Sequence, residues 1–202
     1  MPVIALESSK GGTGKTTTTV HLASALNSHY DTVTVVDADP QHSAADWASA
    51  ATSAGDPLPF TVTTAATARG LTQTVRGVSH GDALVLIDTP PGHGELIDAA
   101  TAAADLVVVT SQPSEMDVER ALSTLRVVDA TGTPALVLLT AVGLGERLGI
   151  TLRSWLADSG TVPLTTTVIP RRTHYREAFG TNPDRLGAYT ELANEVRTKI
   201  NG

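Results

Sequence analysis

Cysteine is absent from the 202 residues, which excludes disulfides, thiolate zinc sites and iron–sulfur ligation together. Aromatic side chains make up only 3% of the chain, while Ala, Thr, Val and Gly abound. That composition suits a tightly packed α/β domain rather than a disordered chain. No apolar stretch approaches the ~20 residues needed to span a bilayer. Met1-Pro2 runs straight into an apolar segment, so no secretory leader is expected and the cytoplasm is the expected location. Basic residues are also short, 14 against 21 acidic, for a net charge of −7. The shortage is uneven. Residues 1–145 hold 6 basic and 15 acidic side chains, and residues 146–202 hold 8 and 6. A polyanion is therefore expected to bind the C-terminal quarter, if anywhere.

What is present is organised around residues 9–17, Ser9-Lys10-Gly11-Gly12-Thr13-Gly14-Lys15-Thr16-Thr17. Val3-Ile4-Ala5-Leu6 reads as a short buried strand before it, and Val20, Leu22, Ala23 and Leu26 follow at near-helical spacing. A strand, a glycine-rich turn and a helix N-terminus form an anion site, because loop N–H groups and the helix dipole converge. Gly11, Gly12 and Gly14 leave no Cβ to block a phosphate. Lys15 is expected to reach the β- and γ-phosphates and the Thr16 hydroxyl to hold Mg²⁺. The usual G-x-x-x-x-G-K-[ST] pattern has Gly where this chain has Ser9, and the chain adds a second lysine, Lys10.

Strands then alternate with helices. Strands are expected at Thr32–Asp37, Phe60–Thr63, Ala83–Ile87, Leu106–Thr110, Pro134–Thr140 and Thr165–Ile169. Helices are expected near 41–51, 69–78, 114–130 (with Ser114 and Asp117 as a capping-box variant), 147–158, just before Phe179, and 185–200. The continuous apolar run at 83–87 fits a parallel sheet covered on both faces. The fold class is therefore α/β, a mostly parallel twisted sheet with helices on both sides, in one domain over 1–202. No helix-turn-helix is expected ahead of the first strand.

Two acidic strand ends follow the P-loop. Asp88, closing the run at 83–87, reads either as a Mg²⁺ carboxylate or as a cap for the next turn. Asp37-Ala38-Asp39-Pro40-Gln41 reads as an acidic turn, or as the group that orients an attacking water beside a γ-phosphate. In open α/β sheets ligands bind at the carboxyl ends of strands, where these three features lie.

The K-G-G-x-G-K-T-T string resembles the deviant Walker A motif of the ParA/MinD ATPases, within the larger group containing the nitrogenase iron protein. The likeness extends in order through Val36–Trp47, Leu84–Gly92, Val107–Asp117 and Thr167–Gly180, and is strongest to short plasmid-partition ParA proteins of the ParF type. It implies a P-loop NTPase using ATP/ADP and Mg²⁺, with Lys10, Gly11, Gly12, Thr13, Gly14, Lys15, Thr16, Thr17, Pro170 and Arg171 at the nucleotide. It further implies Thr16, Asp37 and Asp88 at the metal, Asp39 positioning the water, and Lys10 reaching across a homodimer to the partner's nucleotide. The implied cycle is ATP-dependent dimerisation, non-specific binding of double-stranded DNA on the nucleoid, and hydrolysis stimulated by a ParB-like or cargo-adaptor protein. Arg153, Arg171, Arg172, Arg176 and Lys199 are the candidate DNA contacts. Arg171 or Arg172 enclosing the adenine is the alternative.

Three other readings stand beside this one: a MinD-like membrane cycle, an ATPase that positions a protein organelle, and a nucleotide-binding scaffold without turnover. The first needs a basic amphipathic terminal helix. Here Leu192, Val196 and Ile200 form a stripe with only Arg197 and Lys199 as cations, which fits a helix packed on the core and no membrane partner. One departure stands out, Glu7, an acid close to the phosphate site. Strand alternation offers it an exit on the opposite face.

Overall fold

The computed structural model describes residues 1–78, 81–143 and 163–202. Six strands, β1 Val3–Glu7, β2 Thr32–Asp37, β3 Thr61–Thr64, β4 Ala83–Asp88, β5 Leu106–Ser111 and β6 Ala135–Leu139, form one sheet in the order β3-β2-β4-β1-β5-β6. Every pairing is parallel. Among the described residues the helices are α1 Lys15–Leu26, α2 Ser43–Ser53, α3 Ala68–Gly77, α4 Glu95–Ala103, α5 Glu115–Asp129, α6 Thr173–Glu177 and α7 Ala188–Asn201.

Strand alternation sorts the core into two layers. Ile4, Leu6, Val33, Val35, Leu84, Leu86 and Val108 pack with Leu22 and Leu26 of α1 and with Tyr189, Leu192 and Val196 of α7. Val3, Ala5, Val36, Val85, Ile87 and Val109 pack against Leu71 and Val75 of α3, Ala100 of α4 and Leu125 of α5. The stripe on α7 is thus spent inside the protein, as expected of a core-packing helix. No helix among the described residues is long and apolar enough to cross a membrane.

The same parity carries through to the strand ends. Asp37 and Asp88 continue the α1-side series and lie in register with each other, with Leu6 of β1 beside Asp88. Glu7 continues the Val3–Ala5 series to the other face, where its Oε1 accepts a 2.6 Å hydrogen bond from the Thr101 hydroxyl of α4. The acid beside the P-loop therefore points away from it.

Three expectations change. The segment Thr165–Ile169 is not a strand. It touches β6 at its two ends, where the Thr165 N–H donates to the Val137 carbonyl and the Ile169 N–H to the Leu139 carbonyl, and isolated bridges flank it, Val137 to Leu164 and Val142 to Pro170. The N–H groups of both Thr166 and Thr167 go to the Glu195 carboxylate of α7, and the Thr165 hydroxyl bonds the Thr167 carbonyl at 2.6 Å. Two consecutive amides turned to one carboxylate require a bend, which breaks the alternation of a ladder. The last helix starts at Ala188 and not at 185, because the Tyr175 hydroxyl holds the Leu186 carbonyl (3.1 Å) and the Ala188 N–H (3.2 Å). Helix α4 has no counterpart among the sequence expectations. The helix expected at 147–158 lies outside the described residues.

Candidate functional site

The site is assembled where β1, β2 and β4 end. Gly12 and Gly14 have φ of +80° and +82°, a left-handed conformation that an L side chain resists, and this curls the loop over the start of α1. A Cβ on Gly11 or Gly12 would meet nothing within 4 Å, so the cradle opens outward. The other relevant fact is a missing cap. Helices α3 and α5 begin with Thr67 and Ser114 accepting a first-turn N–H, whereas α1 begins at Gly14 with no side-chain cap and no acid in its first turn. Its unpaired N–H groups and dipole remain for an anion.

Lys15, only 7% exposed, sits between two carboxylates, 3.5 Å from Asp88 Oδ1 and 4.0 Å from Asp39 Oδ2. Asp88 is fully buried. Its Oδ2 accepts from the Thr16 hydroxyl at 2.7 Å and its Oδ1 from Thr19 at 3.2 Å. Burial pushes its carboxyl up from the ordinary range, against the pull of Lys15, Thr16 and Thr19. Hydroxyl and carboxylate oxygens side by side form a hard donor set that suits Mg²⁺ completed by phosphate oxygens and water. Among the described residues no group of three or more acids and histidines could hold a metal unaided. The cation would therefore depend on the phosphates it accompanies.

Asp39 Oδ1 accepts the Gln41 N–H at 2.9 Å, which leaves the Oδ2 side toward Lys15. Asp37 is used differently. Its Oδ1 accepts from the Asp39 N–H and its Oδ2 from the N–H groups of Ala44 and Ala45 at 3.0 and 2.9 Å. It thus caps α2 and fixes the turn that carries Asp39.

A cavity of about 480 Å³ adjoins the loop, bounded by Gly12, Thr17, Ile169, Pro170, Tyr175 and Tyr189. Arg171, Arg172 and Arg176 also line it, so three of the candidate DNA contacts gather at the P-loop cavity. Lys199 lies apart, near the end of α7, and Arg153 lies outside the described residues. Lys10 does not join Lys15. Its Nζ is 2.7 Å from Asp117 Oδ1 at the start of α5. The Ser114 cap is as expected, accepting the Asp117 N–H at 3.2 Å, but Asp117 as the partner of Lys10 was not foreseen.

Three further supports were missed. The Thr140 hydroxyl donates to the Thr13 carbonyl at 2.6 Å, Thr13 and Thr110 hydroxyls pair at 2.8 Å, and Gln112 Nε2 donates to the Gly12 carbonyl at 2.8 Å. All three supporting residues sit at or just beyond the ends of β5 and β6, so the rule that selected Asp37 and Asp88 could have found them.

A phosphate cradle at the first strand end of an all-parallel sheet, with one lysine inside and a second on its rim, defines a P-loop NTPase of the ParA/MinD type. The sequence model of the family described as VirC1 protein matches residues 1–187, and the chain belongs to that ParA-like family. Over 151 residues it is 40% identical to maintenance of carboxysome distribution protein A of Gloeobacter kilaueensis, covering 72% of this chain and 67% of that protein. It is 30% identical to the chromosome-partitioning ATPase Soj of Thermus thermophilus over 244 aligned positions, covering 98% and 96% of the two chains. The septum site-determining protein MinD of Pyrococcus horikoshii, solved with Mg-ADP, shares the fold at a TM-score of 0.77 and 23% identity, over 96% of this chain and 95% of that one. The family is thus one of partition and positioning ATPases.

Proposed function

We propose that this chain is an ATP-driven partition switch: it binds ATP with Mg²⁺, dimerises on it, holds double-stranded DNA without sequence preference, and hydrolyses ATP when a ParB-like or adaptor protein engages it. The observation that carries this reading is Lys15 set between Asp39 and Asp88 at the uncapped start of α1. Lys15 and the α1 amides neutralise triphosphate charge. Thr16 and Asp88 would hold Mg²⁺, which when bound would supply positive charge against the phosphate oxygens. Asp37 lies beside this group, and with its own oxygens on the α2 amides it would act through the metal's water shell. Asp39 orients the attacking water with the oxygen that Gln41 does not occupy. Lys10 serves the partner's phosphates in the dimer, where a charge-assisted contact strengthens on desolvation. Pro170 and Arg171 border the nucleotide cavity, and Arg171, Arg172, Arg176 and Lys199 are the candidate phosphate contacts to duplex DNA, with Arg171 or Arg172 enclosing the adenine as the alternative.

The 40% identity to a carboxysome-distribution protein favours a second reading of the cargo alone, a protein assembly carried over the nucleoid in place of a plasmid or chromosome. The chemistry is common to both.

The test is Asp39→Ala. ATP binding should stay within a few-fold of the parent, while phosphate release falls by about 10²-fold or more, as expected when a water-orienting group is lost. Equal turnover by mutant and parent would remove Asp39 from the reaction. Charge reversal of Arg171 and Arg172 separates the two uses of the basic rim. If ATP turnover falls together with DNA binding, these arginines belong to the nucleotide site.

A further inference from the structure

Lys10 and Lys15 share one loop, and each faces a carboxylate, yet the pairing of Lys10 has no place in the phosphate cradle. Asp117 stands in the first turn of α5 and is only 7% exposed, whereas Lys10 is 36% exposed. Its carboxylate is aimed. Oδ2 accepts from the Ser114 hydroxyl at 2.7 Å, which turns Oδ1 toward the P-loop rim and Lys10. A second cation waits on the same oxygen, because Arg120 one turn along has Nη1 3.6 Å from Oδ1 and is itself 45% exposed. Burial alone pushes the Asp117 carboxyl up, but Lys10, Ser114 and Arg120 outweigh it and hold it below the ordinary carboxylate range.

We propose that Asp117 is a latch that keeps Lys10 within its own subunit until a second nucleotide-bound copy offers a stronger anion, and that Arg120 takes over Asp117 when Lys10 leaves. The proposal rests on the reading of Lys10 as the contact across the dimer. In this latch Lys10 leaves its 2.7 Å contact with Asp117 to reach the phosphate of another subunit, so dimerisation opens the ion pair. Breaking it alone would strand a buried carboxylate, which is strongly unfavourable. Arg120 removes that obstacle, since its Nη1 already lies 3.6 Å from the same oxygen. The exchange then favours the dimer only when the incoming anion carries more charge than a carboxylate, as a triphosphate does. In a two-fold dimer both latches must open, so the bias enters twice. A single-subunit encounter or one without nucleotide leaves Lys10 at home.

The experiment uses the full chain and two readouts. In the first, without nucleotide, Lys10 acylation by a water-soluble N-hydroxysuccinimide ester is followed by peptide mass spectrometry, with Lys199 as the exposed control. Asp117→Asn, which keeps the shape and a Ser114 partner, should raise Lys10 labelling several-fold and leave Lys199 unchanged. The second is dimerisation by analytical ultracentrifugation with Mg²⁺ and a non-hydrolysable ATP analogue. Asp117→Asn should tighten the dimer about ten-fold, each subunit contributing about three-fold as for one partly exposed ion pair. Arg120→Ala, a surface change that threatens no fold, should loosen it by a few-fold because the vacated Asp117 then has no replacement.

Unchanged Lys10 labelling in Asp117→Asn would overturn the latch, as would raised labelling with no tightening of the dimer. The underlying reading fails separately. If Lys10→Ala dimerises like the parent, Lys10 is not the cross-subunit contact, and the labelling result still reports whether Asp117 holds it.

Discussion

The two ends of the P-loop solve one problem in opposite ways. At the inner end Lys15 is 7% exposed, and its carboxylates come from the turn after β2 and the last residue of β4, which strand parity and register bring to the α1 face. Asp88 is fully buried at the end of β4, so the sheet itself holds it beside Lys15. At the outer end Lys10 is 36% exposed and is held by one residue of α5, with a spare cation beside it. The same ion-pair chemistry is buried on both partners in the first case and partly open to solvent in the second. On the latch proposal, this loop is a fixed phosphate site with a releasable lysine on its rim.

Replacing each lysine should separate these roles most strongly. Lys15→Ala should reduce ATP binding by more than 100-fold, because the β/γ-phosphates lose the cation inside the loop and Asp39 and Asp88 are left without theirs. Lys10→Ala should keep ATP binding within a few-fold. Titration with a fluorescent ATP analogue on the isolated chain measures both. Equal losses would erase the distinction between the ends and make Lys10 part of the phosphate site of its own subunit.

A smaller effect is expected from the supports beneath the outer half of the loop. Thr140→Val removes the donor to the Thr13 carbonyl, a 2.6 Å bond between buried groups, at nearly constant volume. A lost bond of this kind costs about 1–2 kcal/mol, since the carbonyl is left unsatisfied. Part should appear in the melting temperature and part as about five-fold weaker nucleotide binding, read by calorimetry. A drop in stability with unchanged affinity would mean that the loop holds its shape without help from β6.

How far the site could be read from sequence follows the same division. The inner half is local in sequence or fixed by strand parity: Gly-rich turn, Lys15, Thr16, and carboxylates at strand ends. Those signals survive without coordinates because period-two alternation assigns each strand end a face. The outer half depends on long-range contacts. Gln112 is 100 residues from Gly12 and Thr140 is 127 from Thr13, and neither shows a local pattern. Asp117 was visible, but only as a cap, because the helix-start motif explains it completely at the level of sequence. Thr165–Ile169 failed for a related reason: its β-branched composition is genuine, and the Glu195 carboxylate that bends it is carried by α7. Asp37 illustrates a second task for one residue: besides the metal role the resemblance implies, its Oδ2 accepts the Ala44 and Ala45 N–H groups at the start of α2.

A further acid near the loop, Glu7, sharpens the comparison, because it is buried and no lysine pairs with it among the described residues. Glu7 is 2% exposed and meets the Thr101 hydroxyl, with Asp98 nearby. Burial is the main reason its carboxyl is pushed above the ordinary value near 4.5, the Thr101 bond opposes this, and Asp98 adds to it. The sign of the pH dependence follows. Well below 4.5 the side chain is protonated in both folded and unfolded chains and has no effect. As the pH rises, the unfolded chain releases its proton first, so stability falls until the folded carboxyl ionises too and is level thereafter. Glutamine cannot titrate and can still pair with Thr101. Glu7→Gln should therefore raise stability at neutral pH by about 1 kcal/mol, roughly 2–4 °C in melting temperature, and the gain should vanish toward pH 4. Thermal melts of parent and mutant across that range decide it. A gain of the same size at every pH would point to packing, and a loss at neutral pH would mean that the Glu7 charge is used, so that only the two lysine-paired ends of the loop could no longer account for its electrostatics.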